Sequence, residues 1–261
     1  MIDSEHKQIS SDKPPQQALW DKYWRSGAAR YTTHHEIVER VERSVGPGGV
    51  VLEIGAGLGV DILEVSANGY NAVALDISKE ALRNIRSRIE GRDSNISLVA
   101  ADAFHLPFKS GSLDLIFHQG VMEHFTDPMP FLSEQKRALK TDGVLIADVP
   151  QTFTFYTLRK KWAIAREKWF AGWETQYTPG ALERKLASAG FDVAEAYGRD
   201  YDIPLIRYIS RIEKIGLNRF GRPVVPWIIR RPIGWACGLF EKTRLSLYFR
   251  QCIGVVGIKR R

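Results

Sequence analysis

Between positions 53 and 59 the chain reads Glu53-Ile54-Gly55-Ala56-Gly57-Leu58-Gly59. Alternate glycines permit a tight turn and let a ligand approach the backbone closely. An apolar run over 50–54 precedes the turn and a helical pattern over 59–68 follows it. The free N–H groups of that helix start therefore face whatever sits on the turn. A dinucleotide-binding turn needs a glycine at position 60, where Val60 stands. No Gly-Lys-Ser/Thr follows, so a phosphate loop is excluded.

Three acids narrow the ligand. Glu53, just before the turn, would repel a pyrophosphate but could receive a cationic ligand, directly or through water. Asp76 closes a second apolar run and can accept hydrogen bonds from ribose hydroxyls. Asp102 follows a third run and can accept one from an adenine amine. A ribose and an adenine joined to a positive centre, without phosphate, describe S-adenosylmethionine.

These residues need a scaffold that brings the ends of several strands together. Apolar runs at 50–54, 71–75, 96–99, 113–117, 143–149, 191–197 and 253–258 read as strands. Helical patterns fall at 16–26, 33–44, 59–68, 130–139 and 179–189, the last stopped by Gly190. Ser78 is placed to cap a further helix whose inner face carries Ala81, Leu82, Ile85 and Ile89. Strand alternating with helix predicts an α/β fold with a parallel sheet covered on both faces. Ligands of such sheets bind at the carboxyl ends of the strands, where strand order reverses. Two stretches, 151–176 and 199–251, are too long for simple connections and are expected to be helical insertions.

The chain resembles the class I S-adenosylmethionine-dependent methyltransferases from about Gly49 to Tyr197, with a last strand near 254–259. The resemblance lies in 51–59 (Val-Leu-Glu-Ile-Gly-Ala-Gly-Leu-Gly), 74–78 (Ala-Leu-Asp-Ile-Ser) and 101–108 (Ala-Asp-Ala-Phe-His-Leu-Pro-Phe). It continues through 112–117, 121–128 (Val-Met-Glu-His-Phe-Thr-Asp-Pro) and 139–146, in the family's order and spacing. It implies a Rossmann-like, seven-stranded, mostly parallel sheet whose last strand is antiparallel, with helices on both faces. It further implies that Gly55 and Gly57, with Ala56 between them and Glu53 before them, line the methionine part of the cofactor. Asp76 would bind the ribose and Ile77 would lie against the adenine. Asp102 and Ala103 would hold the adenine edge, and Gln119 would lie beside the cofactor. The product would be S-adenosylhomocysteine.

Methyl transfer from a sulfonium needs positioning and exclusion of water, and a base only when the nucleophile holds a proton. His124, after the fourth strand, is the candidate base, and His118 a weaker one; His34 and His35 are expected at the surface. The segment is similar to that of the ubiquinone-biosynthesis O-methyltransferases, which carry a further Glu three residues before the Glu-His pair and are associated with a divalent metal. Here that position is Gly120, so no metal site is expected. Tyr23 and Trp24 on the leading helix could shield the methyl group, and Tyr177 could face the acceptor.

The expected organisation is a flexible leader (1–17), N-terminal cap helices (18–48), a cofactor-binding core (49–198, with the 151–176 insertion), a basic and apolar helical insertion (199–251) and the last core strand (252–261). Lys and Arg number 37 against 30 Asp and Glu, a net +7. Residues 199–261 hold 14 Lys/Arg and 4 Asp/Glu, so the rest of the chain is slightly acidic. Within 203–251, stretches such as 227–235 (Trp-Ile-Ile-Arg-Arg-Pro-Ile-Gly-Trp) suit an anionic membrane surface. Two cysteines, Cys237 and Cys252, make neither a disulfide scaffold nor a thiolate zinc site. There is no segment resembling a signal peptide and no apolar run of about 18 residues, which predicts a cytoplasmic protein, peripheral to a membrane if 203–251 binds one.

The expected function is methylation of a small molecule, with O-methylation favoured. The acceptor would be lipid-like, quinone-like or a lipid-linked sugar. The alternatives are an RNA methyltransferase and a non-catalytic cofactor-binding regulatory or partner subunit. Against the first, His118-Gln119-Gly120-Val121 stands where amine methylation of bases needs Asn/Asp-Pro-Pro-Tyr/Phe, and no Pro-Cys nucleophile is present.

Overall fold

The computed structural model describes residues 14–27, 34–91, 94–169, 171, 174–201, 240 and 243–260. Seven strands form one sheet: β1 (Val50–Ile54), β2 (Asn71–Asp76), β3 (Ile96–Ala100), β4 (Leu113–Gln119), β5 (Leu139–Pro150), β6 (Phe191–Tyr201) and β7 (Arg250–Lys259). Their order is β3-β2-β1-β4-β5-β7-β6. β1 pairs in parallel with β2 and β4, while β7 runs antiparallel between β5 and β6. This is the Rossmann-like, mostly parallel sheet expected, with its last strand reversed.

The helices are α1 (Pro14–Arg25), α2 (His35–Ser44), α3 (Val60–Ala67), α4 (Lys79–Ile89), α5 (Met129–Ala138), α6 (Phe155–Ala165) and α7 (Pro179–Ser188). Successive β1 side chains divide between two cores, as the period of a strand requires. Val51 packs with Ile37, Val41, Ile62 and Ile85 from α2, α3 and α4. Leu52 and Ile54 share the other core with Phe131, Leu132, Leu182 and Leu186 from α5 and α7. Ser78 caps α4 as expected, its hydroxyl accepting from the Ala81 N–H at 3.2 Å.

Several boundaries move. α1 begins at Pro14 and so takes in the end of the expected 1–17 leader; proline is tolerated there because the first turn has no internal N–H bonds to lose. Residues 1–13 lie outside the described residues. β6 runs past 198 to Tyr201, and β7 starts at Arg250, before the expected 252. The reason is electrostatic as well as hydrogen bonding. Arg199, expected at the start of a basic insertion, is buried in the sheet, with Nε 3.1 Å and Nη2 2.9 Å from the Asp148 carboxylate on β5. Its cationic charge is matched inside the core rather than offered to a partner. Most of the 203–251 stretch expected at a membrane, together with Cys237, lies outside the described residues; the described part includes a 3-10 turn, Arg244–Phe249.

Candidate active site

Strand order reverses between β1 and β4, and a cavity of about 460 Å³ opens at their carboxyl ends. The turn after β1, the ends of β2 and β4 and the segment after β3 form its floor. α1 covers one side, and Tyr156, Lys160, Trp169, Ala171 and Glu174 roof another. Glu53, Gly55, Ala56, Gly57, Asp76, Ile77, Asp102, Ala103 and Gln119 all line it, and so do Tyr23, Trp24 and His124.

The turn is held by backbone bonds. The Gly55 and Ala56 N–H groups donate to the Leu75 carbonyl at 2.8 and 3.1 Å, tying β1 to β2. Gly55 and Gly57 have φ of 69° and 54°, a left-handed conformation that disfavours a β-carbon. Asp76 accepts from the Gly57 N–H at 2.9 Å through Oδ2 and from the Ser78 N–H at 2.8 Å through Oδ1. Burial pushes its carboxyl up to about 6, although these two N–H groups and that of Ile77 pull the other way. A carboxylate offers about four acceptor sites. With the Ile77 N–H also acting on it, the acceptor capacity left over suits a ribose hydroxyl, so the site fits a nucleoside without phosphate.

Glu53 does two things. Its Oε2 accepts from the Ile62 N–H at 3.2 Å, anchoring the first turn of α3. Burial, with Asp61 and then Asp76 adding negative potential, raises its carboxyl well above the usual range. A cation beside it would relieve that repulsion. Asp102 accepts from the Phe104 N–H at 3.0 Å and shapes the turn after β3 while still lining the cavity.

His34 corrects the sequence expectation. It lines the cavity and meets Asp61 twice: backbone N–H to Oδ1 at 2.7 Å, and ring Nδ1 to Oδ2 at 2.9 Å. Burial acts to raise the Asp61 carboxyl, but the His34 bonds and one from the Gln119 amide outweigh it and hold it below the usual range. Gln119 in turn accepts from Arg199 at 3.1 Å. A polar chain thus links His34, Asp61, Gln119, Arg199 and Asp148. His35 lies outside it, exposed, with Nδ1 3.2 Å from Glu64.

At the other end of the cavity stand Glu123 and His124, on a 3-10 turn over Met122–His124. The His124 ring meets the Trp20 indole edge-on, with centroids 5.1 Å apart, and hydrogen-bonds the Gly120 backbone. Burial lowers its basicity, so the ring is neutral at pH 7. Glu123 is buried, and its Oε2 has no hydrogen-bond partner among the described residues. Burial pushes its carboxyl up to about 8; the nearby Glu174 charge adds to this, and Lys160 opposes it.

The roof comes from the 151–176 insertion. Lys160 and Glu174 form a buried ion pair, and the Trp169 indole N–H donates to Glu174 at 2.7 Å. The Thr175 N–H donates to the Glu123 carbonyl at 2.7 Å, fastening the roof to the turn below. Tyr177 does not line the cavity. Its backbone is bridged to Gln151 and its ring is buried in the core on the α7 side, away from the cavity where the acceptor was expected. His118 is buried against Phe131, and burial lowers it to about 3, which makes it a packing residue.

Glu123, Lys160, Glu174, Trp169 and Tyr156 are cavity residues that sequence reasoning did not single out. Glu123 had a signal, its place in the Glu-His pair. Lys160 had none, since a lysine among basic neighbours reads as solvated.

Residues 52–147 match the family model described as a methyltransferase domain. The chain is 31% identical over 121 residues to the demethylmenaquinone methyltransferase of Mycobacterium sp. (strain JLS), which covers 45% of this chain and half of that protein. It is 26% identical over 208 residues to the malonyl-[acyl-carrier protein] O-methyltransferase of Geobacter sulfurreducens, covering 73% of this chain and 77% of that one. Its fold is similar to that of a Thermotoga maritima protein described as a SAM-dependent methyltransferase, possible histamine N-methyltransferase. There the TM-score is 0.61 at 15% identity, covering 93% of this chain and 99% of that one.

Proposed function

We propose that the protein is a class I S-adenosylmethionine-dependent methyltransferase that transfers a methyl group to the oxygen of a small molecule that is lipid-like, quinone-like or a lipid-linked sugar; the methyltransferase-domain match over residues 52–147 supports this reading. What carries this reading is the two-ended cavity. Residues suited to the cofactor line one end, and a neutral imidazole with a buried carboxyl lines the other. The likeness to a demethylmenaquinone methyltransferase and to a malonyl-carrier-protein O-methyltransferase supports an acceptor of that chemistry.

When bound, S-adenosylmethionine supplies an electrophilic methyl carbon on a sulfonium. Asp76 holds the ribose hydroxyls, and the Gly55–Gly57 backbone admits the methionine part. Ile77, Asp102 and Ala103 frame the adenine. His124 takes the proton of the acceptor hydroxyl on its ring, which burial keeps unprotonated at neutral pH. Tyr23 and Trp24 on α1, and Tyr156 and Trp169 in the roof, exclude water from the transfer.

The test is calorimetric titration of the purified protein with S-adenosylhomocysteine, followed by radiolabelled methyl transfer to a naphthoquinol, a free fatty acid and a transcribed RNA. Micromolar binding with methylation of either small acceptor supports the reading. Methylation of the RNA alone would replace it with the nucleic-acid reading. Binding without turnover on any acceptor would favour a regulatory or partner subunit.

A further inference from the structure

α6 is built the reverse of an ordinary surface helix. Phe155, Leu158 and Trp162, spaced three and four residues apart, share one face and are 62%, 66% and 57% exposed. Lys160, on the opposite face, is 3% exposed. A helix at the surface of a globule normally turns its apolar stripe inward and its cations to water. The inward polarity has a reason in the site: Tyr156 and Lys160 line the cavity, and Lys160 meets Glu174. The outward apolarity has none within the described fold. The strip continues into Phe153, which is exposed and stacks on Tyr248 with ring centroids 6.3 Å apart.

Cations border the strip. Arg159 and Lys161 flank it and are exposed. The Arg166 guanidinium lies over the Trp162 ring, 3.5 Å from its centroid. None of the three forms an ion pair among the described residues, and Glu167 is the one acid between 152 and 169. An apolar strip ringed by unpaired cations is complementary to an anionic lipid surface, where rings and aliphatic chains enter the headgroup boundary and cations meet phosphates. Two other occupants fit worse. A second copy would bring the same cations against themselves across a two-fold axis. The chain's own 202–239 is itself basic, with seven Lys/Arg and two Asp/Glu, so it would leave these charges unmatched.

We propose that the outward face of α6 docks this protein on an anionic lipid bilayer, with Phe155, Leu158 and Trp162 in the headgroup boundary and Arg159, Lys161 and Arg166 on lipid phosphates. The contact is a surface one: no helix among the described residues is long and apolar enough to cross a membrane. Because the other face of α6 roofs the cavity, docking sets the cavity beside the lipid, where an amphiphilic acceptor would enter. That last consequence rests on the methyl-transfer reading; the docking itself does not.

The experiment is co-sedimentation of the full chain with vesicles of phosphatidylcholine mixed with phosphatidylglycerol, and with vesicles of phosphatidylcholine alone. Leu158→Glu, Trp162→Ala and the pair Arg159→Gln/Lys161→Gln are compared with the parent chain. All the changed positions are exposed, and retained melting temperature and S-adenosylhomocysteine titration show that each variant is folded. The parent should sediment with the mixed vesicles, and more weakly as salt is raised. Leu158→Glu and Trp162→Ala should weaken binding, and each removed cation should weaken it about fivefold. No sedimentation of the parent overturns the proposal. So does undiminished sedimentation of Leu158→Glu, which would put lipid contact elsewhere, or self-association of the parent without lipid binding. A chain that sediments but binds no S-adenosylhomocysteine would sink the methyl-transfer reading and leave the docking standing.

Discussion

The Trp24 indole rests on Gly57 so closely that a β-carbon built on the glycine would lie 2.5 Å from the ring's Cη2. The leading helix is thereby seated directly on the glycine turn. Asp21, one turn earlier, latches it there by accepting from the Ser78 hydroxyl at 2.6 Å and the Glu80 N–H at 3.2 Å, both at the start of α4. Arg25 adds an ion pair to Glu80 at 2.7 Å. α1 and the turn therefore form one surface of the cavity.

Gly57→Ala should damage both the turn and its cover. The left-handed backbone, φ 54°, costs an alanine about 1–2 kcal/mol, and the new methyl must displace Trp24. A lower melting temperature and weaker S-adenosylhomocysteine binding are expected. Adding Trp24→Ala should recover part of the stability, because it removes the collision but not the strain. Equal melting temperatures for the single and double variants would show that the contact carries no weight.

Asp76→Ala should abolish S-adenosylhomocysteine binding in calorimetry through the lost ribose hydrogen bonds. In the parent chain the same carboxylate predicts a pH dependence. Its pKa is raised to about 6, so the ionised acceptor form is lost as pH falls below that value. Affinity should fall about tenfold per pH unit below about 6 and level off above it. Near-normal affinity of Asp76→Ala would refute the ribose role.

His124→Ala should leave S-adenosylhomocysteine affinity intact and slow turnover about a hundredfold or more, as loss of a general base does. Burial lowers the ring's pKa, so parent activity should not decline as pH falls from 8 toward 7. Unchanged turnover would make His124 a packing partner of Trp20. An activity that instead rises through about pH 8 would transfer the base role to Glu123.

Glu123→Gln should stabilise the protein at alkaline pH. The folded pKa of about 8 lies above the ordinary 4.5, so the native state keeps a proton that the unfolded chain gives up between those values. Stability from this group is full below about pH 4.5 and falls by up to about 1.4 kcal/mol per pH unit until about pH 8. The neutral amide removes that slope. Thermal melts across this range should show the two chains matching in acid and diverging toward pH 8; parallel curves would contradict it.

Much of the cofactor end was legible before any coordinates. The Gly55 and Gly57 N–H groups reach across to Leu75 and Asp76 on β2, but Asp76 and Ser78 act on backbone N–H groups two and three positions away, those of Ser78 and Ala81. Chemistry of that kind is written in spacing. The strands were legible because strands of a parallel sheet covered on both faces read as short continuous apolar runs. His124 apart, the long-range contacts of the cavity were not legible. His34 reaches Asp61 across 27 positions, and Lys160 reaches Glu174 across 14. Tyr177 was expected to face the acceptor, yet it is bridged to Gln151 and its ring lies in the core.

The sequence by itself determined the α/β sheet, the turn after the first strand, the acids at the strand ends and the ligand they suit. These follow from local apolar patterning, from the spacing of glycines and acids, and from local caps such as that of Ser78 on the Ala81 N–H. Tertiary structure alone decided that α1 sits on the turn, that Arg199 is matched by Asp148 inside the sheet, and that α6 faces its lysine inward and its tryptophan outward. Helical spacing tells which residues share a face. Which face is buried depends on what distant chain folds against it, and only the packed structure supplies that.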